Sequence, residues 1–223
     1  MLDFSKIFQK YEILVAGIDQ TVKQIWNVHS DCIRCGKHCS DCCSAVFDLS
    51  LIESVYINRH FFLTLDRERQ DLILERADKS DRAYYKLKRK LHTMVIQQGE
   101  AEEKVLNLLA RERIRCPFLN KEDLCDFYDY RPITCRVYGV PTAIRGTGHT
   151  CGQSGFEEGK SYPTINLDRI NDRLLGLSNE LLKEIGRADQ ELMNRFIPVS
   201  TSLLTDYDEE FFGLTPCTFE ESK

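Results

Sequence analysis

Apolar residues recur at helical spacing from the start of the chain. Phe4, Ile7, Phe8, Tyr11, Leu14, Val15, Ile18, Val22, Ile25 and Trp26 form one stripe with polar residues between them. That is the pattern of an amphipathic helix of about seven turns, expected to stop near His29. Helical patterning returns between Leu49 and Arg115. Leu51, Ile52, Val55, Tyr56 and Phe61 predict a short helix, and Leu65–Ala77 and Ala83–Ile96 predict two more, with Asp78–Asp81 as the break between them. Ala101–Ile114 predicts a fourth after the turn signal at Gly99. From Cys116 to Tyr162 the periodicity is lost. Cysteine, glycine, proline and aromatic residues dominate there, which predicts a loop-rich segment organised by ligands rather than by a core of its own. After Pro163, Asn166 is a helix cap, and Leu167, Ile170, Leu174, Leu177, Leu181 and Ile185 line one face up to a stop at Gly186. A last helix, Ala188–Ile197, is expected to end at Pro198, and the acidic tail Asp206–Lys223 is expected to be partly mobile.

The fold class implied is mainly α: one helical domain, 1–223, with a cysteine-rich irregular metal-binding lobe. Residues 1–29 are the N-terminal helix, 32–162 the cysteine region with its intervening helices, and 163–223 the C-terminal helices and tail. At 223 residues and 42% hydrophobic, the chain can build a proper core, so its cysteines are not there to rescue a chain too small to fold.

Ten cysteines is a high count. A secreted disulfide framework is one explanation, but Asp3, Lys6, Lys10, Glu12 and Asp19 leave no unbroken apolar core for a signal peptide. The apolar run Ile13–Ile18 is too short to span a bilayer. The expectation is a cytoplasmic, reducing location with no membrane contact, where clustered thiols read as metal ligands or redox groups. A net charge of -5 gives no clear nucleic-acid signal. The basic run Lys86, Lys88, Arg89 and Lys90 reads as a solvated helix face, with contact to an acidic protein partner as the other reading.

The first cysteine cluster is Cys32, Cys35, Cys39, Cys42 and Cys43, five thiols within twelve residues. Spacings of two or three residues let a turn aim two sulfurs at one ion, and Gly36 supplies freedom for the bend. Such spacings serve zinc and iron–sulfur clusters alike. Cys42 and Cys43 are adjacent, so their side chains tend to diverge, which fits two sites or two irons of one cluster better than one mononuclear site. The second set is Cys116, Cys125, Cys135 and Cys151, with gaps so wide that the fold must collect them. Four thiolates on zinc, or on a cubane cluster, leave a charge of about -2. Arg34, Lys37, Arg115, Arg131, Arg136 and Arg145 lie in or beside these segments and are available to offset it.

These residues resemble a known family. Cys35-x3-Cys39-x2-Cys42-Cys43, then Cys116-Pro-Phe-Leu, Cys125-x2-Tyr128-x2-Arg131-Pro132-x2-Cys135-Arg136 and a trailing Cys151 are similar to the YkgJ family, described as zinc- or iron-chelating with a CxxCxxCC signature. The likeness runs from Cys32 to about Cys151. The first cluster departs from it in carrying an extra Cys32 and a three-residue gap before Cys39, so Cys32 and Cys35 compete for one motif position. The resemblance implies metal binding on Cys35, Cys39, Cys42, Cys43, Cys116, Cys125, Cys135 and Cys151. The cofactor expected is a [4Fe-4S] iron–sulfur cluster, with zinc in a structural or partner-recruiting module as the alternative. Flagellin lysine N-methylases are similar in carrying a related cluster, which implies methyl transfer to protein lysines as a third reading.

Blander roles are also open. Cys217, and Cys32 with it, fit buried small hydrophobes. His38 and His149 lie beside cysteines, yet enough thiols are present without them. Tyr128, Tyr130 and Tyr138 read as packing. There is no glycine-rich phosphate loop, no Gly-x-Ser-x-Gly and no His-Glu-x2-His, and a cysteine nucleophile paired with His149 has little to support it.

Overall fold

The computed structural model describes residues 2–97, 99 and 101–214, and they are mainly helical. Helix α1, Ser5–Val28, follows the apolar stripe closely: Ile7, Phe8, Tyr11, Ile18 and Ile25 are buried, and Phe4 is buried at its cap. Trp26 lies off the buried face and is 41% exposed.

Helix α2, Leu51–Thr64, is the most deeply buried element, with every residue from Leu51 to Ile57 inside. Its start is fixed by a capping box. Glu53 N–H donates to Ser50 Oγ, and Ser50 N–H donates back to the Glu53 carboxylate at 3.2 Å. This arrangement satisfies two of the donors every helix start leaves free.

Helix α3 runs without interruption from Arg67 to His92, so the break expected at Asp78–Asp81 is not there. The polar residues in that stretch form rungs instead. Lys79 pairs with Glu75 at 2.6 Å and Arg82 with Asp78 at 2.8 Å, both one turn apart, while Ala77 stays fully buried on the opposite face. Asp78 and Lys79 thus mark the solvated side of a helix, while Ser80 donates to Arg115 C=O and Asp81 accepts from the Ser200 and Thr201 hydroxyls. The basic run closes this helix: Arg89, Lys90 and His92 occupy its last turn, where cations complement the helix dipole. A π-helical turn, Thr93–Gln97, follows. Helix α4, Glu102–Arg111, stops three residues before the expected Ile114, because Arg113 and Ile114 turn extended to pair with residues 44–45.

The segment from Cys116 to Tyr162 corrects a second expectation. It is irregular, but it buries Phe118, Phe127, Ile133, Val137 and Val140 in the same core as the helices. The rings of Phe118 and Phe127 stack at 4.7 Å, Phe127 on Tyr130 at 4.8 Å, and Tyr130 on His60 of α2 at 4.6 Å. A short helix α5, Ile133–Val137, and a hairpin, β2 (Thr142–Ile144) with β3 (Thr147–His149), lie within it. Arg145 and Gly146, both at positive φ, form the two-residue turn that a tight hairpin requires.

Strand β4, Ile165–Asn166, adds to β2 in parallel and leads into α6, Leu167–Glu184, where Asn166 caps the helix by accepting from Arg169 N–H at 3.0 Å. Gly186 ends it at φ +72°. The helix expected over Ala188–Ile197 is only the turn α7, Gln190–Met193. Ile197–Pro198 instead forms β5, antiparallel to β1 (Asp48–Leu49), and Pro198 opens an unforeseen helix α8, Val199–Leu204.

The tail expected to be partly mobile is described only as far as Leu214. Phe212 is buried, 5.7 Å from the Phe4 ring. Cys217 lies outside the described residues. No helix among the described residues is long and apolar enough to cross a membrane.

Candidate metal centre

The two cysteine sets are separated in sequence by α2, α3 and α4, yet main-chain hydrogen bonds stitch them together. Ile114 N–H donates to Ser44 C=O at 3.0 Å and Cys116 N–H to Cys43 C=O at 2.7 Å. This pairing follows the 3-10 turn Asp41–Cys43, so both segments reach one place with their backbone polar groups satisfied.

Each thiol has its own local support. Cys116 and Cys125 stand at the base of a small turn in which Asn120 N–H donates to Leu124 C=O and the Asn120 amide oxygen accepts from Glu122 and Leu124 N–H, both at 3.0 Å. Arg76 of α3 ties this turn down through Leu119 C=O at 2.8 Å and Asp126 at 2.7 Å. Cys135 sits on α5, directly after Arg131-Pro132. The first amide of that helix, Ile133 N–H, donates to the buried Glu53 carboxylate at 3.0 Å, so α2 fixes the approach to Cys135. Cys151 follows β3, receives Gln153 N–H on its sulfur at 3.4 Å, and lies 3.9 Å from the Asp41 carboxylate. The sulfurs of Cys42 and Cys43 are 4.0 Å apart.

Two spaces adjoin these sulfurs. A small cavity of about 50 Å³ is reached by Cys42, Cys43, Cys116, Cys125 and Cys135. An open cleft of about 930 Å³ is reached by Cys35, Cys39 and Cys151 as well as by Cys42, Cys43, Cys125 and Cys135. All eight expected ligands therefore border one or both spaces. Cys32 borders neither, and its carbonyl accepts from Gly155 N–H at 2.7 Å. His38 borders the cleft, with Nδ1 3.0 Å from Glu122 C=O. His149 is exposed on β3 outside it. Among the described residues, no three His, Cys, Asp or Glu side chains stand at the separations of a single bound ion. The nine described cysteines are all free.

Burial is the first cause of raised thiol pKa values in the site. It pushes Cys35 up to about 11 and Cys116 up to about 12, and it raises Cys125, Cys135 and Cys151. For Cys42 the first cause is its hydrogen-bond contact with Cys43, followed by burial. Two features pull the other way. The amides of Phe118 and Leu119 face the sulfur of Cys116, that of Phe127 faces Cys125, and those of Gln153 and Ser154 face Cys151. Arg131 acts on Cys35, Cys42, Cys125 and Cys135 together. Donors aimed at sulfur and one shared cation favour the thiolate form against desolvation.

Of the six cations expected to offset thiolate charge, Arg131 borders both spaces, Arg115 the cavity, and Lys37 and Arg136 the cleft; the Arg131 guanidinium lies 3.5 Å over the Tyr128 ring and its Nε donates to Tyr128 C=O. Arg136 is held instead by Asp19 at 2.6 Å, and Arg115 by Asp123 and Asn120 C=O. Arg34, Lys37 and Arg145 are exposed. Tyr130 packs as expected, whereas Tyr138 donates to Asp41 at 2.9 Å.

Gly139 is the site residue that spacing does not reveal. A methyl group there would overlap the Cys35 sulfur, so the thiol rests in a cradle that only glycine leaves open. Gly139→Ala is therefore expected to expel Cys35 toward solvent. Its alkylation by iodoacetamide, followed by peptide mass spectrometry, should accelerate about tenfold as its pKa falls back toward the ordinary thiol value. An unchanged rate at Cys35 would refute the cradle. No family model, curated protein or solved structure matches this chain.

Proposed function

We propose that this chain is a metal-binding protein whose cysteine thiolates carry an iron–sulfur centre of the [4Fe-4S] type. The observation that carries the proposal is the convergence of two sequence-distant cysteine sets on one wall, joined by the Cys116 N–H bond to Cys43 C=O, with eight thiols bordering two adjoining spaces. Buried free cysteines that serve only as packing have no need of amides aimed at their sulfurs or of a shared cation. The donor set is soft and all-thiolate, which suits iron–sulfur clusters and zinc and disfavours magnesium or calcium. The sulfurs do not yet close on one point, so a bound centre would draw them inward from the wall.

When bound, an iron–sulfur centre supplies one-electron redox chemistry or structural cross-linking. The chain's own residues do the rest. Arg131 offsets the charge of the thiolates, the amides of Phe118, Phe127 and Gln153 donate to sulfur, and Phe118 and Phe127 line the small cavity. Zinc is the second reading, because the same all-thiolate donor set suits it equally.

Protein expressed with ample iron and purified without oxygen is expected to be brown, to contain iron and acid-labile sulfide, and to bleach in air. Colourless protein that retains stoichiometric zinc and no sulfide would overturn the iron–sulfur proposal and leave the zinc one.

A further inference from the structure

Neighbouring side chains on an extended chain point apart, but in the 3-10 turn Asp41–Cys43 the sulfurs of Cys42 and Cys43 meet at 4.0 Å. Both cysteines are free and half-buried. Both border the open cleft of about 930 Å³, so a small solute in the cleft reaches them. A further approach of about 2 Å brings two such sulfurs to bonding distance. Adjacency in the chain also removes the loop-closure cost that distant thiols must meet. The peptide between the two residues is lightly held: its N–H donates to Ser40 C=O at 3.0 Å, and its C=O accepts Ala45 N–H at 3.4 Å. Other thiols of the site are fixed by their surroundings, Cys35 in the Gly139 cradle and Cys116 on the turn tied down by Arg76.

We propose that Cys42 and Cys43 are a redox modification site: a small-molecule disulfide of the glutathione class oxidises them to a bridge between neighbours, and the bridge switches metal binding off. The step balances as a thiol–disulfide exchange. One of the two sulfurs, as thiolate, attacks the oxidant and expels one glutathione thiolate, leaving a mixed disulfide. The neighbouring thiol then gives up its proton and displaces the second glutathione. Two protein thiols are oxidised, and one oxidant molecule is reduced to two thiols. The Cα atoms of neighbours are about 3.8 Å apart, closer than in a relaxed disulfide. The bridge is therefore strained and easily reduced, as a regulatory disulfide must be. Its effect on the metal rests on the metal-binding reading. Metal takes thiolates, so the bridge withdraws two of the eight candidate ligands, and metal on either sulfur blocks the bridge. Closing the ring also turns the Cys42–Cys43 peptide, beside the Cys43 C=O that accepts Cys116 N–H at 2.7 Å and joins the two cysteine sets.

The reduced, metal-free full chain, equilibrated anaerobically with glutathione at rising ratios of oxidised to reduced form, tests this. Free thiols are alkylated, and the tryptic peptide of residues 38–59, which carries Cys39, Cys42 and Cys43, is fragmented in the mass spectrometer. The native chain is expected to give a peptide short of two hydrogens, with Cys39 alkylated and Cys42 and Cys43 joined. Cys39→Ser should keep the bridge, and Cys43→Ser should stop at the mixed disulfide. After the glutathione is removed, the oxidised native chain should bind Co²⁺ about tenfold or more weakly than the reduced chain, followed by thiolate-to-cobalt absorption, and dithiothreitol should restore it. A mixed disulfide without a bridge in the native chain, or a bridge that includes Cys39, would overturn the modification site. Equal cobalt affinity in the oxidised and reduced chains would overturn the switch. No thiolate-to-cobalt absorption in the reduced chain would overturn the metal-binding reading and the switch with it, while the peptide masses still decide the bridge.

Discussion

Cys135→Ser is expected to lower metal content about tenfold or more, while Cys217→Ser leaves it unchanged. Even partners that merely orient a ligand are worth roughly 10–100-fold in affinity, so removal of the ligand itself sets the lower bound. Cys135 is the strongest single test for two reasons. Its position is over-determined: Pro132 fixes the chain before it, and Glu53 holds the Ile133 amide at 3.0 Å. It also borders both the cavity and the cleft. Serine replaces a soft donor with a poor one and leaves the partner thiolates incomplete. Metal per chain, measured by mass spectrometry after anaerobic loading, gives the answer. Undiminished metal in Cys135→Ser with a loss in Cys217→Ser would place the centre elsewhere in the chain.

Cys39→Ser is expected to lose metal as well, but less than Cys135→Ser, because Cys39 borders the cleft alone and is exposed.

The helices were legible wherever burial is one-sided. Phe4 to Ile25 along α1 and Ile170 to Leu181 along α6 each repeat at the helical period because each presents one face to the core. The reading failed where polarity was taken as punctuation. Lys79 is polar because it faces solvent, while Ser80 donates to Arg115 C=O and Asp81 accepts from the Ser200 and Thr201 hydroxyls of α8, and periodicity cannot tell either case from a helix end. It failed again at Ile197–Pro198, where a two-residue strand is fixed only by its distant partner, Asp48–Leu49. The aromatic stack Phe118–Phe127–Tyr130–His60 was likewise hidden, since rings collected across turns leave no period.

The ligand candidates were legible because thiols cluster in sequence, and all eight do border the site. The supports were not, because each acts through the backbone or across the fold. Gly139 matters only because Cys35 lies over it, and Asn120 only because its side chain folds the turn between two cysteines. One support did leave a local signature: Ser50-Leu-Ile-Glu53 has the spacing of a capping box, although nothing local shows that Glu53 also reaches Ile133.

That second contact makes Glu53→Ala the substitution with the largest expected effect on stability, about 2–6 kcal/mol. The carboxylate is 4% exposed and accepts Ser50 N–H at 3.2 Å, Ser50 Oγ–H at 2.9 Å and Ile133 N–H at 3.0 Å. Its loss leaves two buried amide donors, on Ser50 and Ile133, unsatisfied at about 1–3 kcal/mol each, while Ser50 Oγ still accepts the backbone N–H of residue 53. Glu53→Gln keeps an acceptor for Ile133 but turns an amide donor toward Ser50, so it should cost less than Glu53→Ala. Burial, the largest cause, raises the Glu53 pKa despite those donors. The folded state therefore holds this proton more tightly than the unfolded chain does. The contribution of Glu53 is full below the ordinary carboxylate pKa and declines as pH rises through its raised value. Urea unfolding across that range should show this decline in the native chain and not in Glu53→Gln. A loss below about 1 kcal/mol in Glu53→Ala, or the same pH slope in Glu53→Gln, would show that Glu53 does not join α2 to the turn that carries Cys135.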